Sequence, residues 1–269
     1  MNILITGAGG FFAQGLIKKL KKKNLNIIGI TSKKFKSSKN LKYVTCKNIF
    51  HLKKKKYIKL ITNSDIIINT AWYTNPKDYL KSKKNKKCYL DSVRLANLFK
   101  NNTGKFISIG SCVEYKKNRN KLRYNSNLKS TNNYSFFKIK SFKKIKKIFK
   151  GTQVKFIWPR IFFLYGNKVS DNEQSGRLFP IIRENIKNKR KTIINNSHFV
   201  RDFISLQEAV TQFINIIYHN HEGATNICTG NGITVKKLCL KHFSKNNFIF
   251  LKKSNSKINN SKIVGKKYL

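Results

Sequence analysis

Carboxylates are the scarcest common chemistry in this chain: ten Asp and Glu stand against 58 Lys and Arg in 269 residues, a formal charge of +48. Proline (3), tryptophan (2) and methionine (1) are also rare. No apolar run approaches the length of a membrane span, and the N-terminus reads as a strand rather than a signal peptide, so a soluble, cytoplasmic protein with no membrane partner is expected. Five cysteines without a C-x-x-C spacing argue against a disulfide framework and suit a reducing compartment. Five histidines form no ligand pattern, and no metal site is expected.

The positive charge has a compositional origin. Only eight of the 58 basic residues are Arg, and Lys, Asn, Ile and Phe, with A/T-rich codons, are abundant while Ala and Pro are scarce. The lysines are spread over the polar faces of predicted helices instead of forming one stripe, which argues against a specific nucleic-acid partner. The field still favours anionic ligands.

What is present begins with Asn2 to Lys23. Ile3-Leu4-Ile5 reads as a strand, Thr6-Gly7-Ala8-Gly9-Gly10 as a turn, and the following residues as a helix with Phe12, Ala13, Leu16, Ile17 and Leu20 on one face. Gly7 allows a sharp reversal, Gly10 lets a pyrophosphate approach the helix N-terminus, and Ala13 is small enough for close helix–sheet packing. Gly7, Gly10, Phe11 and Phe12 are therefore candidate cofactor-binding residues. Asn26 to Ile30 predicts a second, parallel strand. It leads into Thr31-Ser32-Lys33-Lys34, where a dinucleotide fold selective for NAD carries an acid; Ser32 and Lys33 suit a 2′-phosphate, so NADP(H) is favoured over NAD(H).

Further strands are predicted at Tyr43–Cys46, Asp65–Ala71 and Lys105–Gly110, and helical spacing recurs over Tyr89–Phe99 and Asn133–Lys150. Ala71, Trp72 and Tyr73 follow the fourth strand, where sheets of this kind face ligand, and Ser111 ends the fifth. Tyr134 and Lys138, one helical turn apart, share a face. The pattern predicts an α/β fold, a Rossmann-type doubly wound parallel sheet with a small C-terminal substrate lobe. Residues 1–166 would form the NAD(P)-binding domain and 167–269 the lobe, with about 199–218 packing back on the sheet.

The glycine-rich first turn, Ser111 at a strand end and Tyr134-x-x-x-Lys138 together resemble the short-chain dehydrogenase/reductase superfamily. Further stretches are similar to its extended branch, the NAD-dependent epimerase/dehydratase family of nucleotide-sugar enzymes: Trp158–Gly166, Arg177-Leu178-Phe179-Pro180, Val200-Arg201-Asp202-Phe203-Ile204 and Asn226-Ile227-Cys228-Thr229-Gly230. The order and spacing agree from Met1 to about Gly265. Departures fall at Lys47 or Asn48, where the family often has Asp; at Cys88, where Asn is frequent; and at Gln207-Glu208.

The resemblance implies catalysis by Ser111, Tyr134 and Lys138, with Tyr134 and Lys138 also touching the cofactor. Tyr134 would exchange a proton with the sugar oxygen that Ser111 holds, and Lys138 would lower the phenol's pKa. The family's 4,6-dehydratases follow the catalytic Ser or Thr with Asp-Glu; here Cys112-Val113 follow, which disfavours dehydration, and nearby Glu114 need not face the substrate. The leading expectation is an NAD(P)H-dependent reductase of a 4-keto-6-deoxy nucleotide sugar in surface-polysaccharide synthesis. An NAD-dependent epimerase is the alternative, and a catalytically silent sensor or scaffold the non-enzymatic one. Tyr73, Arg177 and Arg201 are the candidate substrate residues, with Arg160 the cation more suited to pairing inside the fold. The short tail after Leu240 implies a small sugar lobe, with either a shallower pocket or a homodimer that completes it.

Overall fold

The computed structural model describes residues 1–23, 25–116, 120–166, 176–219, 221–251 and 262–267. Asn167, where the sequence divides the chain, lies outside them. Seven strands form a parallel sheet. In chain order they are β1 (Asn2–Thr6), β2 (Asn26–Thr31), β3 (Leu41–Thr45), β4 (Ile66–Asn69), β5 (Lys105–Ser108), β7 (Lys155–Ile161) and β12 (Gly223–Ile227), and their spatial order is β12-β7-β5-β4-β1-β2-β3. The two-residue β6 (Gly110–Ser111) follows β5 after a one-residue break and also pairs with β7.

Both faces of the sheet are covered, which is why its strands read as continuous apolar runs. Successive side chains point to opposite faces. Ile3, Ile5, Ile66 and Ile68 therefore join one core with α1 (Phe11–Leu20) and α6 (Leu206–Tyr218), where Phe12 and Phe213 meet edge to face at 5.2 Å. Leu4, Ile67, Phe106 and Trp158 join the other core, with α2 (Lys54–Thr62), α3 (Lys84–Phe99) and α4 (Asn133–Phe149). The first helix buries the five residues its periodicity selects, Phe12, Ala13, Leu16, Ile17 and Leu20.

A smaller apolar cluster, built on Phe179, Ile182, Ile194, Leu238, Cys239 and Phe248, gathers α5 (Leu178–Lys187), α7 (Val235–His242) and the paired strands β9 (Thr192–Ile194) and β14 (Phe248–Phe250). Two further strand pairs, β8 (Phe163–Tyr165) with β11 (Phe203–Ser205) and β10 (Val200–Arg201) with β13 (Ile233–Thr234), connect it to the sheet edge.

Strand order reverses between β1, which continues to β2, and its other neighbour β4, so the loops after β1 and β4 open a crevice at the carboxyl ends of the strands. The end of β4 differs from the sequence reading: the ladder stops at Asn69, and Thr70 and Ala71 leave the sheet after one last bond, Thr70 N–H to the Thr6 carbonyl at 3.2 Å. Asn69 itself is buried. It accepts from the Thr6 hydroxyl (2.7 Å) and donates to Ser92 and Ser108 (3.0 and 3.1 Å), which ties β1, β4, β5 and α3 together below the crevice.

The other internal tie is ionic. Glu114, fully buried, accepts from Arg160 Nε at 2.7 Å, Trp158 Nε1 at 3.0 Å and the Ser111 backbone N–H at 2.7 Å. Arg160 gives further bonds to the Tyr115 hydroxyl (3.2 Å) and the Tyr124 carbonyl (3.0 Å). The pairing of Arg160 inside the fold thus fixes the strand end that carries Ser111. Glu114→Ala strands a buried guanidinium and should destabilise the protein by about 3–5 kcal/mol in chemical denaturation. A loss under about 1 kcal/mol would show that water reaches Arg160.

Candidate functional site

The crevice begins at the glycine turn. Gly7 has φ +69°, and a Cβ there would stand 2.7 Å from the Cα of Ala71. Its carbonyl accepts the Gly10 N–H at 2.9 Å, and Gly10, the N-cap of α1, offers no side chain to the helix start. The first turn of α1 is thus an uncapped N-terminus with backbone on both sides, the arrangement that takes a phosphate. Phe11 is half-buried beside it. The Phe12 ring belongs to the core, so only its backbone remains for a cofactor. At the end of β2, Thr31 Oγ1 accepts the Lys33 N–H (3.1 Å) and crowds Gly9, while the Ser32 and Lys33 side chains are exposed. The residues present fit a dinucleotide: a glycine cradle that a Cβ would fill, and hydroxyl and ammonium groups in place of a carboxylate at the end of β2.

Across the crevice, Asn132 caps α4 by accepting the Ser135 N–H at 2.9 Å, and Ser135 bonds back. The first turn is further pinned to the loop after β4, with Tyr134 N–H to the Leu80 carbonyl at 3.1 Å and Asn133 Nδ2 to the Lys81 carbonyl at 2.8 Å. Tyr134 is consequently buried. Its ring meets Tyr79 edge to face at 5.1 Å and Trp72 at 6.2 Å, and Ser111 is near enough to act on its hydroxyl. Ser111 also caps the 3-10 turn Cys112–Glu114. The structure therefore brings together Ser111, Tyr134 and Lys138.

The electrostatics differ from the sequence expectation. Burial first, then Tyr79 and Glu114, push the Tyr134 phenol above its usual range, and the Ser111 hydrogen bond only partly offsets them. The Lys138 ammonium is engaged elsewhere. It donates to the Ile109 carbonyl at 2.6 Å and lies 3.7 Å from the Trp72 ring centroid, against 5.8 Å from that of Tyr134. Burial pulls Lys138 down to about 8, partly offset by the fields of Glu114 and Cys88. At neutral pH Tyr134 is thus a neutral phenol, an acid with a proton to give.

The remaining candidates surround this centre unequally. Arg177 donates to the Thr74 carbonyl (3.1 Å) and sits 5.0 Å from the Tyr79 centroid, on the Tyr134 side. Arg201, half-buried over Phe199 at 4.9 Å, acts electrostatically on Cys112, next to Ser111. Tyr73 is engaged in its own loop, its hydroxyl donating to Asp78 (2.7 Å) and its N–H to Cys88 Sγ (3.3 Å). Sequence reasoning missed Tyr79 and Asn85, which no spacing marks, and left the aim of Glu114 open. Among the described residues no three or more His, Cys, Asp or Glu form a metal-binding group, and no helix is long and apolar enough to cross a membrane.

Comparison with known proteins places this geometry in context. The sequence model of the NAD dependent epimerase/dehydratase family matches residues 3–228. A sequence search of curated proteins finds no match. Among solved structures, a UDP-N-acetylglucosamine 4-epimerase from Methanobrevibacter ruminantium, in complex with UDP-N-acetylmuramic acid, superposes with TM-score 0.78 at 19% identity, over 99% of this chain and 89% of that one. A UDP-glucose 4-epimerase from Thermus thermophilus, in complex with NAD, gives 0.79 at 12% identity, over 99% and 90%. A dTDP-glucose 4,6-dehydratase from Bacillus anthracis, in complex with NAD, gives 0.77 at 15%, over 99% and 88%. At these identities the structural likeness establishes the fold.

A buried ammonium without a carboxylate partner costs stability. The folded-state value of about 8 lies below the 10.5 of a free lysine, so the unfolded chain holds the proton more tightly and the charge opposes folding at neutral pH. That opposition is full below pH 8 and fades between 8 and 10.5. Lys138→Met should therefore stabilise the protein at pH 7 by about 1–2 kcal/mol, with a smaller gain at pH 10. A destabilised Lys138→Met protein at pH 7 in thermal denaturation would contradict this assignment.

Proposed function

The chain belongs to the NAD dependent epimerase/dehydratase family, and from that premise we propose that it is an NAD(P)H-dependent reductase of a 4-keto-6-deoxy nucleotide sugar. It is an enzyme of the extended short-chain dehydrogenase/reductase type. The observation that carries the proposal is the convergence of Ser111, a protonated Tyr134 and Lys138 beside the crevice of the glycine turn.

In this reading residues 1–166 bind the cofactor and 167–269 the sugar. Gly7, Gly10 and the backbone of Phe11 and Phe12 hold the dinucleotide phosphates, Ala71 lies along it, and Ser32 and Lys33 favour NADP(H) by taking a 2′-phosphate. The nicotinamide, when bound, supplies the hydride. Ser111 holds the sugar carbonyl oxygen, and Tyr134 gives it the proton that completes reduction. Lys138, on the same face of α4, holds ribose hydroxyls and balances the phenolate that remains. Arg177 and Arg201 take the substrate diphosphate, and Tyr73 borders the sugar. Glu114 cannot serve as the acid of an elimination while it holds Arg160, Trp158 and the Ser111 N–H, so dehydration is not proposed. The product would enter surface-polysaccharide synthesis in the cytoplasm. Leu90 on α3 and Phe136 on α4, 52% and 47% exposed, are apolar surface that a homodimer would cover.

A second reading, NAD-dependent epimerisation of a nucleotide sugar, is favoured by the two 4-epimerases with the same fold and uses the same three residues in both directions of proton transfer. One assay separates the two. Purified protein with NADPH and a panel of 4-keto-6-deoxy nucleotide sugars should lose nicotinamide absorbance, and Tyr134→Phe should slow turnover by about 10²–10⁴-fold while still binding cofactor. Interconversion of UDP- or dTDP-hexoses without NADPH consumption would assign the epimerase instead. Undiminished turnover in Tyr134→Phe would refute both.

A further inference from the structure

Lys138 is 3% exposed, and among the described residues its ammonium makes no ion pair. The groups that face it are few. Tyr134 lies on its own helix, Cys88 on α3, the Trp158 ring at 5.8 Å on β7, and Glu114 on the 3-10 turn is held by Arg160. What it does touch is the Ile109 carbonyl and the face of Trp72, 3.7 Å from the ring centroid. That ring is itself fixed: its Nε1–H donates to Asn85 Oδ1 at 2.8 Å. Asn85 is fully buried, and its Nδ2 donates to the carbonyls of Tyr79 (2.7 Å) and Ser82 (2.9 Å). One side chain therefore sets both the indole under Lys138 and the loop residue whose ring packs on Tyr134.

We propose that Trp72, its plane set by Asn85, is the positioning residue for Lys138, its π face holding the buried ammonium in the charged form where a carboxylate would otherwise be needed. The inference rests on the role assigned to Lys138 above. A desolvated ammonium is attracted to the negative face of an indole. A carboxylate in its place would add negative charge beside Tyr134, raise the phenol further and hold the ammonium against transfer to ribose hydroxyls. A neutral ring keeps the charge and lets it go.

The first test needs neither substrate nor cofactor. Both tryptophans of the chain, Trp72 and Trp158, lie within 5.8 Å of the ammonium, centroid to Nζ. Tryptophan emission of the unliganded protein, followed from about pH 6 to 10, should show a step with its midpoint near pH 8. Lys138→Met should abolish the step, and Tyr134→Phe should keep it. A flat wild-type titration, or a step that survives Lys138→Met, would overturn the proposal. The second test is the pH profile of kcat/KM for NADPH, which reports the free enzyme: Trp72→Leu keeps the site apolar and removes the π face, so the alkaline limb should move down by about one pH unit. Trp72→Phe should move it less. An active Trp72→Leu protein with an unmoved limb would also overturn the proposal. If Trp72→Leu fails to fold, the emission titration of wild type against Lys138→Met decides alone. Full turnover by Tyr134→Phe would instead defeat the catalytic reading, whatever the emission shows.

Discussion

The buried carboxylate of Glu114 organises the end of the sheet that carries Ser111. In a chain with so few acids, this one lies wholly inside, bonded to the Arg160 guanidinium, the Trp158 indole and the Ser111 N–H. Two strand ends and a 3-10 turn are thereby held in one register. Ser111 faces Tyr134 because its own backbone is fixed by that bond, and the Glu114 field also reaches Tyr134 and Lys138. An ion pair of this kind adds little net stability over an apolar replacement, but it cannot lose one partner without large cost. Its effect here is to fix one arrangement of the groups around it.

The same logic separates the two titratable groups to which the proposed chemistry falls. Burial raises the phenol and lowers the ammonium, so Tyr134 keeps its proton at neutral pH and the charge on Lys138 is easily moved. Neither group is paired with a carboxylate. The loop after β4 supplies the neutral surroundings instead, with Trp72 under the ammonium and Tyr79 against the phenol, both tied to Asn85. This is a site built mostly from aromatic rings and backbone carbonyls, which suits a chain poor in acids.

Much of this was legible in the sequence because it is local. The apolar face of α1 follows a 3.6-residue period, the buried strands read as apolar runs, and Tyr134 and Lys138 are one turn apart on one helix. What was not legible depends on distant pairs. Glu114 and Arg160 are 46 positions apart, and Asn85 meets Trp72 through a loop whose path no periodicity describes. Helix α2 was also missed, since Lys54–Thr62 is short and buries only Tyr57 and Ile61. The seat of the Lys138 ammonium on the Trp72 ring was not legible either, because spacing places two side chains on one face without saying where their ends point.

The central claim is that one sugar oxygen is held and protonated by Ser111 and Tyr134. The most direct measurement is a crystal structure of the protein with NADPH and a bound nucleotide sugar. The account predicts both hydroxyls within hydrogen-bond distance of a single sugar oxygen, the diphosphates at the glycine turn and at the arginines, and the Lys138 ammonium turned from Trp72 to the ribose. A sugar lodged away from Tyr134, with the Tyr79 ring still against the phenol and Lys138 still on the indole, would contradict it.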